Sequence, residues 1–113
     1  MRILVTGGAG FIGSNVADRF IELGHEVAVF DDLSTGFREF VNPKARFFEG
    51  DLADAAQVDA CVAAFRPEIV CHHAAQIDVR KSVSDPVWDA RVNVLGSIGL
   101  LHSCTRHGVR KVI

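Results

Sequence analysis

The chain has no tyrosine, one tryptophan, one methionine, three prolines and three cysteines among its 113 residues. Without tyrosine, no phenolic side chain is available to act as a base. The cysteines, Cys61, Cys71 and Cys104, are odd in number, widely spaced and form no CxxC pair, so a disulfide framework is not expected. Cys71-His72-His73 is the only place where potential metal ligands cluster. Neighbours on a strand point to opposite faces, so the three cannot converge on one ion, and no metal is expected. No apolar run approaches the roughly 20 residues of a membrane span. Basic residues are not in excess either, with 12 Lys and Arg against 14 Asp and Glu and a formal net charge of −2. Neither a membrane nor a nucleic acid is therefore an expected partner. The N-terminus enters a strand pattern at once, without the small-residue cleavage site of a signal peptide, which points to the cytoplasm.

What is present is an ordinary globular balance, 49% hydrophobic and 23% charged, in a length that suits one small domain. Short apolar runs alternate with amphipathic stretches. Strands are expected at Arg2–Thr6, Glu26–Phe30, Ala45–Glu49, Glu68–His72 and Val109–Ile113. Helices are expected at Phe11–Leu23, ending at Gly24, and at Asp54–Phe65, stopping before Arg66-Pro67. A third, long helix should open at Pro86, capped by Ser84 or Asp85, and run to about His107 and Gly108. Residues Asp31–Lys44 and Ala74–Ser84 read as loops, with at most a short turn at Phe37–Val41. The order β-α-β-β-α-β-α-β, with continuous apolar strands, predicts an α/β fold: a Rossmann-type, doubly wound parallel sheet of about five strands. Arg106, His107, Arg110 and Lys111 are read as a solvated helix end.

The strongest motif is Thr6-Gly7-Gly8-Ala9-Gly10-Phe11-Ile12-Gly13, between the first strand and the first helix. Gly7, Gly10 and Gly13 allow a tight turn, close approach to a pyrophosphate and close helix packing, and GxGxxG also fits a second register, from Gly8. The N-terminus of the helix offers unpaired N–H groups to phosphate. Asp31 ends the second strand, 21 residues after Gly10 (31 − 10), where a carboxylate accepts from ribose hydroxyls and repels a 2′-phosphate. NAD is thus preferred over NADP. Asp32 either assists Asp31 or is a solvated turn residue, and Arg38 is read as a surface residue. Asp51, after the third strand, either meets an adenine amino group beside Leu52 or caps the next helix. Ala74-Ala75-Gln76 is small enough for close backbone approach to a cofactor. His72 is read as packed or hydrogen-bonded to backbone. Asn93, on an apolar helix, should bond the backbone of a neighbouring loop, while Trp88, Val92 and Leu95 are read as core or helix-packing positions.

Taken together these segments resemble the extended short-chain dehydrogenase/reductase family, in its NAD-dependent nucleotide-sugar epimerase/dehydratase branch. The matching stretches are residues 6–13, Asp31–Gly36, Gly50-Asp51-Leu52, His72–Gln76, Val79–Val83, Asp85-Pro86 and Asn93–Ser97, and they span essentially the whole chain. The resemblance is nearest to the bacterial UDP-glucose 4-epimerases, which oxidise the sugar at C4 with tightly held NAD and return the hydride to its other face. It implies that Gly7, Gly10, Phe11, Ile12 and Gly13 hold the pyrophosphate. Asp31, Asp32, Leu33, Ser34, Thr35 and Gly36 would surround the adenosine ribose, and Asp51 and Leu52 the adenine. His73, Ala74, Ala75 and Gln76 would line the nicotinamide side, with Asn93 nearby. A nucleotide-sugar substrate and a homodimer built on the long helix are further implications.

Two departures leave alternatives open. Ile77 stands where many epimerases carry a lysine, which keeps dTDP-glucose 4,6-dehydratase and UDP-glucuronate decarboxylase in view. The family's catalytic Ser/Thr and Tyr-x-x-x-Lys lie beyond the fifth strand, so residues 1–113 are expected to be the N-terminal portion of the NAD-binding domain. No catalytic residue is expected within them, nor activity of the chain alone. A free-standing, non-catalytic NAD-binding module is the reading from a different class.

Overall fold

β1 (Arg2–Thr6) is Arg-Ile-Leu-Val-Thr, and its last four residues are buried. Such a run suits a strand covered on both faces. In the computed structural model, which describes residues 1–113, β1 is the centre of a five-stranded parallel sheet ordered β3-β2-β1-β4-β5. The other strands are β2 (Glu26–Asp31), β3 (Arg46–Glu49), β4 (Ile69–His72) and β5 (Lys111–Val112). The chain winds outward from β1 through β2 to β3, then returns to the other side of β1 for β4 and β5. The expected doubly wound parallel sheet is present. In register, Thr6 pairs with Phe30 on one side and His72 on the other.

Alternation along the strands divides the interior into two cores. Leu4, Ala28, Phe30 and Val70 face one layer of helices, packing with Val58, Val62, Phe65 and Leu100. Ile3, Val5, Val27, Val29 and Cys71 face the other layer with Ala17 and Val41. Each fully buried Val, Leu or Ile contributes about 1.5–3 kcal/mol, so two well-filled layers hold the sheet rigid beneath whatever sits on its edge.

α1 (Phe11–Glu22) ends at Gly24, whose φ of +87° supplies the left-handed turn expected there. α2 (Ala55–Phe65) is capped by Asp54, whose carboxylate accepts from the N–H groups of Ala56 and Gln57. Between β2 and β3 the chain makes a single 3₁₀ turn, Arg38–Phe40, inside the turn expected there.

Two expectations need correction. The stretch 74–84 is not all loop, because Val79–Ser84 forms a short helix, α3, under an Asp78 cap that accepts from Arg80 and Lys81 N–H. Local capping, not apolar periodicity, produces it. The helix expected to run unbroken from Pro86 is α4 (Pro86–Ala90), a π turn at Arg91–Leu95 and α5 (Gly96–Arg106). Asp85 is the cap, accepting from Trp88 N–H, with Pro86 in the first turn as expected. α5 is pinned to α2 by Asp59, which accepts from Ser103 Oγ at 2.7 Å and His107 Nε2 at 3.0 Å. Those hydrogen bonds hold the Asp59 carboxyl below its ordinary value.

Candidate functional site

In open α/β sheets a ligand binds beyond the carboxyl ends of the strands, where the winding reverses. Here that point lies between β1 and β4, and a cleft of about 730 Å³ opens there. Its floor is the turn from β1 into α1. Gly7 has a φ of +70°, and a side chain on it would strike the backbone of His73 and Ala74 within 2.9 Å. A Cβ on Gly13 would overlap the carbonyl oxygen of Gly7. Only glycine lets these three segments approach so closely. The N–H groups of Phe11, Ile12 and Gly13 have no acceptor within the chain, so the first turn of α1 presents donors and partial positive charge to the cleft.

Asp31 forms the next wall and is buried at 9% exposure. One carboxylate oxygen accepts from Ala9 N–H at 2.9 Å and the other from Leu33 N–H at 2.8 Å. A carboxylate offers about four lone-pair sites, so each oxygen keeps capacity for a further donor. Asp32 accepts from Ser34 N–H at 2.9 Å and lines the cleft with Ser34, Thr35 and Gly36. Leu33 does not. Its φ of 60° turns it under the loop, where it packs on the core beneath β2. Arg38 also stays outside the cleft, its guanidinium 4.5 Å above the Phe47 ring.

Asp51 and Leu52 reach the cleft after β3. Asp54, not Asp51, caps α2, while Asp51 accepts from Ala53 N–H at 2.9 Å within its own turn. Beyond β4, His73, Ala74, Ala75 and Gln76 form the facing wall. This wall is held from behind. Asn93 Nδ2 donates to the Gln76 carbonyl at 2.8 Å, and Asn93 Oδ1 accepts from Gln76 N–H at 2.7 Å. The Gln76 side chain donates to Asp89 and to the Asp78 carbonyl. Asn93 therefore bonds a neighbouring loop as expected, and supports the wall instead of lining the cleft.

The His72 ring hydrogen-bonds two side-chain hydroxyls, those of Thr6 and Ser97, while its main-chain N–H, not its ring, meets backbone, donating to the Ile113 carbonyl at 2.8 Å. Burial, with a smaller contribution from His73, pushes its imidazole below the ordinary range. The other lining residues, absent from the sequence reading of the site, are Phe30, Gly50, Ile77, Asp78, Lys81, Trp88 and Val92. Gly50 was legible from its place beside Asp51. Phe30 lines the cleft from the end of β2, beside Asp31. The rest enter because α3, α4 and the turn that follows fold back over the cleft, which depends on the long-range bonds of Gln76.

A nucleotide fits this donor set. Three unpartnered amides sit in a glycine cradle at a helix mouth, across from a buried carboxylate. The class defined by this fold and site is a dinucleotide-binding domain. The chain belongs to the NAD dependent epimerase/dehydratase family, whose profile matches residues 3–113. It is 46% identical to the UDP-glucose 4-epimerase of Mycolicibacterium smegmatis, over 100% of this chain and 37% of that protein. It superposes with a TM-score of 0.95 on the UDP-glucose 4-epimerase of Thermus thermophilus in complex with NAD, at 50% identity, covering 99% of this chain and 36% of that one. The Thermotoga maritima UDP-glucose 4-epimerase with UDP-glucose gives a TM-score of 0.95 at 46% identity, covering 99% and 36%. The chain thus spans about a third of the length of these relatives. No helix is long and apolar enough to cross a membrane.

Proposed function

We propose that residues 1–113 are the N-terminal, NAD-binding portion of a UDP-glucose 4-epimerase, which interconverts UDP-glucose and UDP-galactose. The observation that carries this reading is the set of free N–H groups of Phe11, Ile12 and Gly13 facing a cleft that the Asp31 carboxylate also lines. Gly7, Gly10, Phe11, Ile12 and Gly13 hold the diphosphate. Asp31, Asp32, Ser34, Thr35 and Gly36 take the adenosine ribose, and Asp51 and Leu52 the adenine. His73, Ala74, Ala75 and Gln76 flank the nicotinamide half, with Leu33 and Asn93 acting from behind. NAD, when bound, supplies the hydride acceptor at the sugar C4. What this chain does is bind and orient that group: amides neutralise phosphate charge, and Asp31 disfavours a 2′-phosphate by repulsion.

The chain holds no tyrosine, so the base and the sugar-nucleotide contacts are assigned to further sequence of the whole enzyme. A homodimer is part of the proposal, supported by exposed apolar side chains along the α4–α5 segment: Val87, Val94, Leu95, Ile98 and Leu101. A cytoplasmic setting is supported by three free, buried thiols. The test is calorimetric titration of the chain with NAD and NADP. Binding of NAD with at least tenfold preference over NADP is expected, and replacement of Gly10 by leucine should remove it. Undiminished binding in Gly10→Leu would refute the site.

A further inference from the structure

We propose that Asp31 is a positioning residue for the diphosphate-binding turn, and not only a wall for ribose. This deepens the nucleotide-site reading above and rests on it. The central peptide of the turn is Ala9, which is fully buried. Its N–H donates to the Asp31 carboxylate at 2.9 Å, and its carbonyl accepts from Phe37 N–H at 3.0 Å. Ala9 is thus gripped on both sides by the loop that begins at Asp31. Gly36 makes the second grip possible, since a Cβ there would fall 2.6 Å from the Ala9 oxygen. The second Asp31 oxygen accepts from Leu33 N–H at 2.8 Å, which fixes the carboxylate before it meets any ligand. Gly10 and the start of α1 follow directly from the gripped peptide, so the direction of the Phe11, Ile12 and Gly13 amides depends on it.

The consequence is a coupling between the two halves of the site. Charge alone and geometry predict opposite signs for loss of Asp31. Removing a negative charge beside an anion site should tighten diphosphate binding. Releasing Ala9 leaves a buried N–H without a partner and lets the turn drift, so that pyrophosphate must first reorder the amides it binds.

Inorganic pyrophosphate, which has no ribose, separates these effects. The 113-residue chain is titrated with NAD by calorimetry and with pyrophosphate by phosphorus NMR, as wild type, Asp31→Ala and Gly36→Ala. The expected result is pyrophosphate binding by wild type, weakened about fivefold or more in Asp31→Ala. Gly36→Ala, which keeps the carboxylate but pushes the chain off Ala9, should weaken it too, and it tests the grip independently should Asp31→Ala fail to fold. Accelerated exchange of the Ala9 amide should accompany both losses. Pyrophosphate bound equally or more tightly by Asp31→Ala, or by Gly36→Ala if that variant alone folds, overturns the inference while NAD binding by wild type leaves the site reading intact. NAD binding without any response to pyrophosphate also overturns it. No NAD binding by wild type sinks the site reading and this inference together.

Discussion

The Thr6 hydroxyl on β1 and Nδ1 of His72 on β4 lie 2.7 Å apart, closing the sheet at the edge where the cleft opens. The Thr6 oxygen also accepts from the N–H groups of His73 and Ala74, at 3.2 and 3.3 Å. The His73 N–H is shared with the Thr6 carbonyl at 3.1 Å, and against a neutral imidazole the hydroxyl proton goes to Nδ1. On the other side Ser97 Oγ donates to the Asn93 carbonyl at 2.7 Å, so it accepts from His72 Nε2–H at 3.1 Å. Burial favours the neutral imidazole, and in that form the pattern places its proton on Nε2.

A pH dependence follows. Burial depresses the folded-state pKa of His72 below its ordinary 6.5. The unfolded chain then takes up a proton that the folded chain refuses, so this stability is present above pH 6.5 and is lost as pH falls from there through the folded value. Urea unfolding of wild type and His72→Gln between about pH 7.5 and about pH 5.5 should show the shallower decline in the variant. His72→Gln should also be less stable at neutral pH by about 1–3 kcal/mol, through unmet hydroxyl bonds. Parallel pH profiles would refute the assignment.

Two glycines should respond in opposite directions to the same added methyl group. Gly13→Ala drives its Cβ into the Gly7 carbonyl, a backbone oxygen that cannot swing away, at a cost of about 1–3 kcal/mol or more. Gly99, within α5, would place its Cβ 3.8 Å from Ala55 Cβ, an ordinary contact. Gly99→Ala should therefore stabilise the chain by about 0.5–1 kcal/mol through helix propensity. Thermal unfolding of the two variants gives the check, and NAD titration should show loss only for Gly13→Ala.

These glycines also show what could be read in advance. The cradle was legible because glycine at 7, 10 and 13 between a strand and a helix has a local physical cause, and Asp31 was legible because strand ends fix what reaches the edge. The layer order followed from continuous apolar strands. The wall formed by α3 and α4 was not legible. Its shape depends on Gln76 reaching Asp89 and Asn93, 13 and 17 residues away, and no periodicity encodes such a contact. The π turn at Arg91–Leu95 escaped for the same reason, since the apolar pattern on either side reads as one helix. Asn93 sits within that turn, and its side chain is committed to the Gln76 peptide.

That commitment makes Asn93 a sharp probe of the wall. Asn93→Asp keeps the acceptor for Gln76 N–H but sets an oxygen against the Gln76 carbonyl and the Asp89 carboxylate, to which Asn93 Nδ2 now donates at 2.8 and 3.2 Å. A conservative change in size should cost about 1–3 kcal/mol and lower NAD affinity by loosening residues 73–76. Asn93→Asp should be worse than wild type at pH 7 and recover partly towards pH 4, as the new carboxyl takes up a proton and regains a donor. Equal NAD affinity in wild type and variant would separate Asn93 from the site.

The thiols provide a reading of the cores themselves. Cys61 and Cys104 lie in the layer with α2 and α5, and Cys71 in the opposite layer. Burial pushes Cys61 up to about 12 and raises Cys71 and Cys104 above the ordinary thiol range. Since only a thiolate reacts readily, labelling at pH 8 must await opening of the fold. All three should react at rates set by unfolding, with Cys61 and Cys104 keeping pace because they share one cluster. NAD should slow all three, because a ligand held only by the folded state lowers the open population in proportion to its occupancy. Rapid labelling of Cys71 alone, unaffected by NAD, would mean that the α1 side of the sheet opens independently of the nucleotide site. The cradle at the mouth of α1 would then not be anchored by the core beneath it.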